Sequence, residues 1–100
     1  MSDLEARIRL VLTERGEVTI RRVLSGIGYF IEGSLAVAVI DECLCVPVDM
    51  EDWEALLDRP GVGPLRFADR VVRGWLLVEP DAIVDDGALT TWIERGLGGD

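Results

Sequence analysis

The chain has 100 residues, with 19 acidic and 10 basic side chains giving a formal net charge of −9, the length of one small domain. Apolar residues make up 49% and charged residues 29%, which excludes a disordered or low-complexity segment, and no apolar run approaches the ~18 residues of a membrane span. His, Lys, Asn and Gln are all absent, which excludes a Ser-His-Asp triad, a Cys-His pair, an imidazole metal ligand, a Schiff base and a phosphate-loop lysine.

In chain order, the spacing first predicts a helix over 3–15. Leu4, Ile8, Val11 and Leu12 form one stripe at i, i+4, i+7 and i+8. Ser2 with Glu5 is a capping box, and Gly16 supplies a left-handed C-cap. From Glu17 to Val48 the period becomes two. Val18 and Ile20 alternate with Thr19 and Arg21 in a first strand. Ser25-Gly26 marks a turn, and Gly28 a bulge or a close approach of backbones. Residues 27–32 make a second strand, and Gly33-Ser34 a two-residue turn with Gly first. Leu35 to Ile40 is wholly apolar, which predicts a central strand covered by a helix on at least one face. Asp41-Glu42 turns the chain into a fourth strand, 43–48, where Pro47 places the end at a sheet edge or beyond the pairing. Consecutive short connections imply an antiparallel meander.

Asp49 then caps a second helix over 50–58 with Trp53, Leu56 and Leu57 as its stripe. Pro60-Gly61-Val62-Gly63-Pro64 reads as a rigid loop. Residues 65–68 and 71–79 form a hairpin around Asp69-Arg70, ended by Pro80. Asp85 or Asp86 caps a last helix to about Arg95, with Leu89, Trp92 and Ile93 apolar and Gly96 as its stop. The expected fold is α+β, a single domain over 1–100 in the order α-ββββ-α-ββ-α. It has two layers: one antiparallel sheet (meander plus C-terminal hairpin) with the helices packed on one face, where the three stripes share one burial site.

The acidic balance argues against direct nucleic-acid binding, which needs a positive face; the basic residues nearest to a cluster are Arg21, Arg22, Arg70 and Arg73. Cys43 and Cys45 share a strand face at i and i+2, too far apart for an ordinary disulfide, in an apolar run. They read as reduced, buried thiols of a cytoplasmic protein. The acidic start Ser2, Asp3, Glu5 lacks the basic region of a secretory leader. Asp49, Glu51, Asp52, Glu54 and Asp58 lack calcium-loop spacing and read as a solvated face. Gly26-x-Gly28 lacks the third Gly and the following helix of a phosphate cradle.

Two stretches carry a resemblance. Arg22-Val23-Leu24-Ser25-Gly26-Ile27-Gly28-Tyr29-Phe30 is similar, with one spacer less, to the Arg-x-Met-Phe-Gly-Gly-x-Gly-x-Phe stretch of the TfoX N-terminal domain family. Arg73-Gly74-Trp75, then Leu76, Leu77 and Val78, then Leu89-Thr90-Thr91-Trp92, resembles that family's Arg-Gly-Trp strand and Leu-x-x-Trp helix. The resemblance spans roughly residues 3–97. It implies a layer of helices on an antiparallel sheet, and a link to regulators of bacterial DNA transformation competence. Pro47 stands where family members often carry Arg. Full-length competence regulators add a C-terminal domain suited to nucleic-acid contact, whereas this sequence ends at Asp100.

The functional expectation is a non-catalytic, regulatory interaction module with no catalytic residue, cofactor or metal. It binds another protein or itself as a homodimer, with Arg22, Tyr29, Trp53 and Arg73 as the contact residues. Trp75 is expected in the core beneath the last helix, near Trp92. Two alternatives are weighed: a nucleic-acid-linked transcriptional regulator using Arg21, Arg22, Arg70 and Arg73 on one sheet face, and a small-ligand-binding protein with a pocket near the Gly26–Gly28 turn.

Overall fold

The computed structural model describes residues 3–23 and 26–97. The elements are α1 (Asp3–Thr13), β1 (Val18–Val23), β2 (Gly26–Ile31), β3 (Ser34–Ile40), β4 (Cys43–Pro47), α2 (Met50–Leu56), β5 (Val62–Phe67), β6 (Arg70–Val78), a short 3-10 helix (Pro80–Ile83) and α3 (Asp86–Gly96). Apart from the 3-10 helix, which Pro80 and Asp81 start and the sequence reading missed, this is the expected α-ββββ-α-ββ-α order. All strands lie in one six-stranded antiparallel sheet, ordered β1-β2-β3-β4-β6-β5.

The three apolar stripes do converge. Leu4, Ile8 and Leu12 of α1, Trp53 of α2, and Leu89, Trp92 and Ile93 of α3 join Tyr29, Val37, Leu44, Val46, Leu76 and Val78 of the sheet in one buried cluster, with Leu56 and Leu57 packed against it. Polar clamps tie the chain ends together over that core. The Arg7 guanidinium donates to the Asp86 carboxylate at 2.9 Å and to the carbonyls of Ile83 and Val84, and Arg15 pairs with Glu94. The Asp85 side chain caps α3 by accepting from the Ala88 N–H at 3.1 Å. Asp49 precedes α2 but caps it without a side-chain hydrogen bond; its carbonyl takes the N–H groups of Asp52 and Trp53 instead.

Several boundaries depart from expectation for identifiable reasons. Helix α1 stops at Thr13, and Gly16 beyond it has φ +152°, not a left-handed cap. The β2–β3 hairpin turns on Glu32-Gly33, both at positive φ, rather than on Gly33-Ser34, because Ser34 already pairs with Ile31. The last turns on Ala68-Asp69, again both at positive φ, so Arg70 joins β6. Asp41-Glu42 turns as expected, with φ 51° and 65°, the mirror-image geometry that suits the twist of hairpin strands. Strand β5 begins inside the predicted loop, at Val62. Pro47 pairs with Trp75 on the β6 side, while pairing with β3 stops at Cys45, so it stands beyond the pairing on one side only. The Ser2 half of the capping box and Leu24-Ser25 lie outside the described residues.

Two irregularities change which way side chains point. Between Tyr29↔Val37 and Phe30↔Leu35, Ala36 is left unpaired, a bulge that lets Ala36 and Val37 both face the helices. Gly96 of α3 lies close above it: a Cβ there would meet the Ala36 carbonyl at 3.0 Å. In β6, Val72 to Trp75 stand opposite Leu65 alone, and Gly74 has φ +88°. That left-handed residue reverses the alternation. Trp75 therefore lies away from Trp92, on the face that no helix covers, correcting its expected place in the helix-side core.

Candidate functional site

The helix-free face is not a polar, solvated surface. Ala38, Cys45 and Leu65 are buried on it, with Val23, Ile40, Val72, Trp75 and Leu77 packed around them. The sheet curls enough for the two bulged regions to bring β1, β3, β4, β5 and β6 around one concave groove of ≈ 430 Å³, lined by Val23, Leu35, Ala38, Ile40, Cys45, Leu65, Val72 and Trp75. Every lining residue is apolar or a thiol. Gly28, in the middle of β2, keeps one wall low: a Cβ there would lie 2.9 Å from Val23 Cγ1 and 3.1 Å from Leu35 Cδ1. A volume of this size with apolar walls suits an apolar ligand or a partner's apolar side chains.

The Arg73-Gly74-Trp75 signature sits where the two faces meet. Arg73 turns to the helix side, with its guanidinium carbon 5.9 Å from the centroid of the Trp53 ring. Trp53, 7% exposed, donates its indole N–H to the Trp75 carbonyl at 2.9 Å. Trp75 then sends its own ring into the groove wall. The Gly74 carbonyl receives the Val48 N–H at 2.8 Å, which closes β6 onto the segment leading into α2. One strand segment thus anchors a helix on one side and walls a groove on the other.

The expected contact residues do not form one surface. Arg22 is exposed on β1, facing the helix side opposite Ile27. Arg73 is exposed but spreads over Trp53, and Trp53 itself is buried. Tyr29 has no exposed surface to offer a partner: it is 0% exposed beneath α1, and its hydroxyl finds no well-formed hydrogen bond among the described residues. Burial and the nearby Glu5 carboxylate push its pKa up to about 12. The four arginines of the nucleic-acid alternative are also divided. Arg21 and Arg22 are neighbours on a regular strand and so point to opposite faces. Arg21 lies over the Phe30 ring at 5.7 Å, whereas Arg73 lies on the helix side. The groove residues Val23, Leu35, Leu65 and Val72 were not singled out from the sequence, although the unbroken apolar runs of β3 and β4 carried the signal for strands apolar on both faces.

Both thiols lie on the groove side. Cys45 is fully buried, and that burial pushes its pKa up from 9.0 to about 12. Cys43 is also raised, by burial first and then by Glu79, Asp41 and Glu42. The thiolate is the reactive form, so a thiol-alkylating reagent at neutral pH is expected to modify folded Cys45 at least about tenfold more slowly than the unfolded chain. The unfolded thiol should reach its plateau rate near pH 9.0, whereas the folded rate should go on climbing towards about 12. Mass spectrometry of timed alkylation checks this; equal rates in folded and unfolded protein would contradict it. Because the folded pKa is the higher one, the same group stabilises the fold below pH 9.0 and loses that contribution as pH rises towards about 12.

Among the described residues no helix is long and apolar enough to cross a membrane, and no group of His, Cys, Asp or Glu is placed to hold a metal ion. The family model described as TfoX N-terminal domain matches residues 11–99, from the last turn of α1 onward. No curated protein matches the chain.

Proposed function

The chain belongs to the TfoX N-terminal domain family, and from that premise we propose that it is a non-catalytic, cytoplasmic regulatory module that works by receiving apolar side chains of a partner protein in the groove of its helix-free sheet face. The observation that carries the reading is the groove itself: eight lining residues without a charged group, on the one sheet face that no element of the described chain covers. An apolar concavity of this kind on a small domain is a recognition surface rather than a reaction vessel. Catalysis would require positioned acid, base or nucleophile, and the thiols that border the groove are held in their unreactive form. Reduced thiols match a cytoplasmic setting. Regulation of the competence type is what the family resemblance adds, and the groove is the surface through which this domain would exert it.

A photo-crosslinking amino acid placed at Val72, in the groove, is expected to give a discrete protein adduct in the native host. The same group at Leu10, which is 73% exposed on α1 away from the groove, should give none. Equal labelling from both positions, or turnover of a defined substrate that a groove substitution abolishes, would overturn the proposal. The small-ligand reading draws on the same cavity; it would show as a co-purifying apolar molecule released on denaturation, with no protein adduct at Val72.

A further inference from the structure

The sheet has two edges, and they are not equivalent. Edge strand β5 carries Gly63 and Pro64 and an irregular register with β6, devices that discourage a further strand. Edge strand β1 has none of them. Its residues Val18 to Val23 pair with β2 in unbroken register, it contains neither Gly nor Pro, and Ile20 is 39% exposed on it.

The direction of its free backbone groups follows from the ladder. The Glu32 N–H donates to the Glu17 carbonyl, so the pair 17–32 is hydrogen-bonded. In antiparallel pairing the bonded pairs then recur at alternate residues: Thr19 with Phe30, Arg21 with Gly28, Val23 with Gly26. The N–H and C=O groups of Val18, Ile20 and Arg22 therefore point outward, without a partner among the described residues. These three positions are symmetric about Ile20. A second β1 running antiparallel through a two-fold axis at Ile20 sets Ile20 against Ile20, and Val18 against Arg22 in both directions, using each outward group.

The side chains agree with that register. Ile20 meets its own copy on the helix side. On the groove side Arg21 lies opposite Thr19 and diagonal to Glu17 of the second copy, within reach of a long side chain. No arginine stands directly opposite an arginine, although β1 holds two in adjacent positions. We propose that a second copy of this chain is the partner of the β1 edge, forming a continuous sheet across a two-fold axis with reciprocal Arg21–Glu17 pairs. The inference stands apart from the groove reading, because it uses the outward backbone groups of Val18, Ile20 and Arg22, none of which lines the groove. Six residues of edge with few flanking contacts put the interface at the small end of the range, so association falls at about ten to a hundred micromolar.

Sedimentation equilibrium of the full chain across that range tests it. Wild type is expected to dimerise reversibly. Ile20→Pro removes an outward N–H that β2 does not use, so the ladder survives while the dissociation constant rises at least about tenfold. Arg21→Glu alone and Glu17→Arg alone should each be monomeric through like charges at the diagonal. An equimolar mixture of those two variants should recover the dimer, since each then faces its opposite, and this arm decides the matter even if Ile20→Pro fails to fold. A wild type that stays monomeric at about half a millimolar, well above the expected dissociation constant, would overturn the inference. So would a dimer indifferent to all three substitutions, or a mixture of the charge variants that stays monomeric.

Discussion

Gly26→Ala is expected to cost the domain about 3 kcal/mol or more, a large fraction of the roughly 5–15 kcal/mol that holds a 100-residue chain folded. The reason is local and geometric. A Cβ on Gly26 would lie 2.1 Å from the Val39 carbonyl oxygen and 2.6 Å from Ile40 Cγ1. The first is backbone of the neighbouring strand and cannot rotate away. Relief requires the start of β2 to part from β3, which loosens the end of their ladder where Ile27 pairs with Val39 and opens the core beneath Ile27. Gly26 is not at positive φ, so its small size is the whole explanation. Gly63→Ala supplies the contrast: nothing lies within 4 Å of a Cβ there and its φ is ordinary, so its effect should stay within about 1 kcal/mol. Urea titrations followed by far-UV circular dichroism measure both. Similar midpoints for the two variants would contradict the account.

That contrast also shows where the sequence was legible. The helices could be read because their apolar residues recur at helical spacing, and Leu4/Ile8/Leu12, Trp53/Leu56/Leu57 and Leu89/Trp92/Ile93 do meet on one face. The meander could be read because Val18, Ile20 and their neighbours alternate and the connections are short. Two kinds of information were hidden. Hairpin turns at Glu32-Gly33 and Ala68-Asp69 begin on Glu32 and Ala68, residue types that rarely adopt positive φ, so composition pointed one residue along from the true turn. Side-chain parity after a bulge was the second. Counting by twos through Gly74 places Trp75 on the helix side; one residue at φ +88° sends it to the other face and supplies a wall of the groove. The clue was a glycine inside a strand, but a glycine marks the place of a bulge and not the number of residues it absorbs. The fully apolar run of β3 was likewise a clue to two covered faces, and only one had a helix to cover it.

Trp53→Ala should be the other severe substitution, costing about 3–5 kcal/mol. Three contacts end at that side chain. Its ring fills the helix-side core between α2 and β6. Its N–H satisfies the Trp75 carbonyl at 2.9 Å, and its face carries the Arg73 guanidinium. Trp53→Phe separates these: it keeps most of the apolar bulk and a ring for Arg73 while leaving the carbonyl unpaired, so it should cost about 1–3 kcal/mol. The more telling readout is at a distance. Trp75 lies on the opposite face of the sheet, and its backbone is held by the indole of Trp53. If that bond fixes the Gly74 bulge, both Trp53 variants should disturb the groove: fluorescence of a probe on a cysteine introduced at Val72 should shift in folded protein below the denaturation midpoint. A folded Trp53→Phe whose groove probe is unchanged would mean that Gly74 holds the bulge alone, and that the Arg-Gly-Trp segment does not couple the helix layer to the groove.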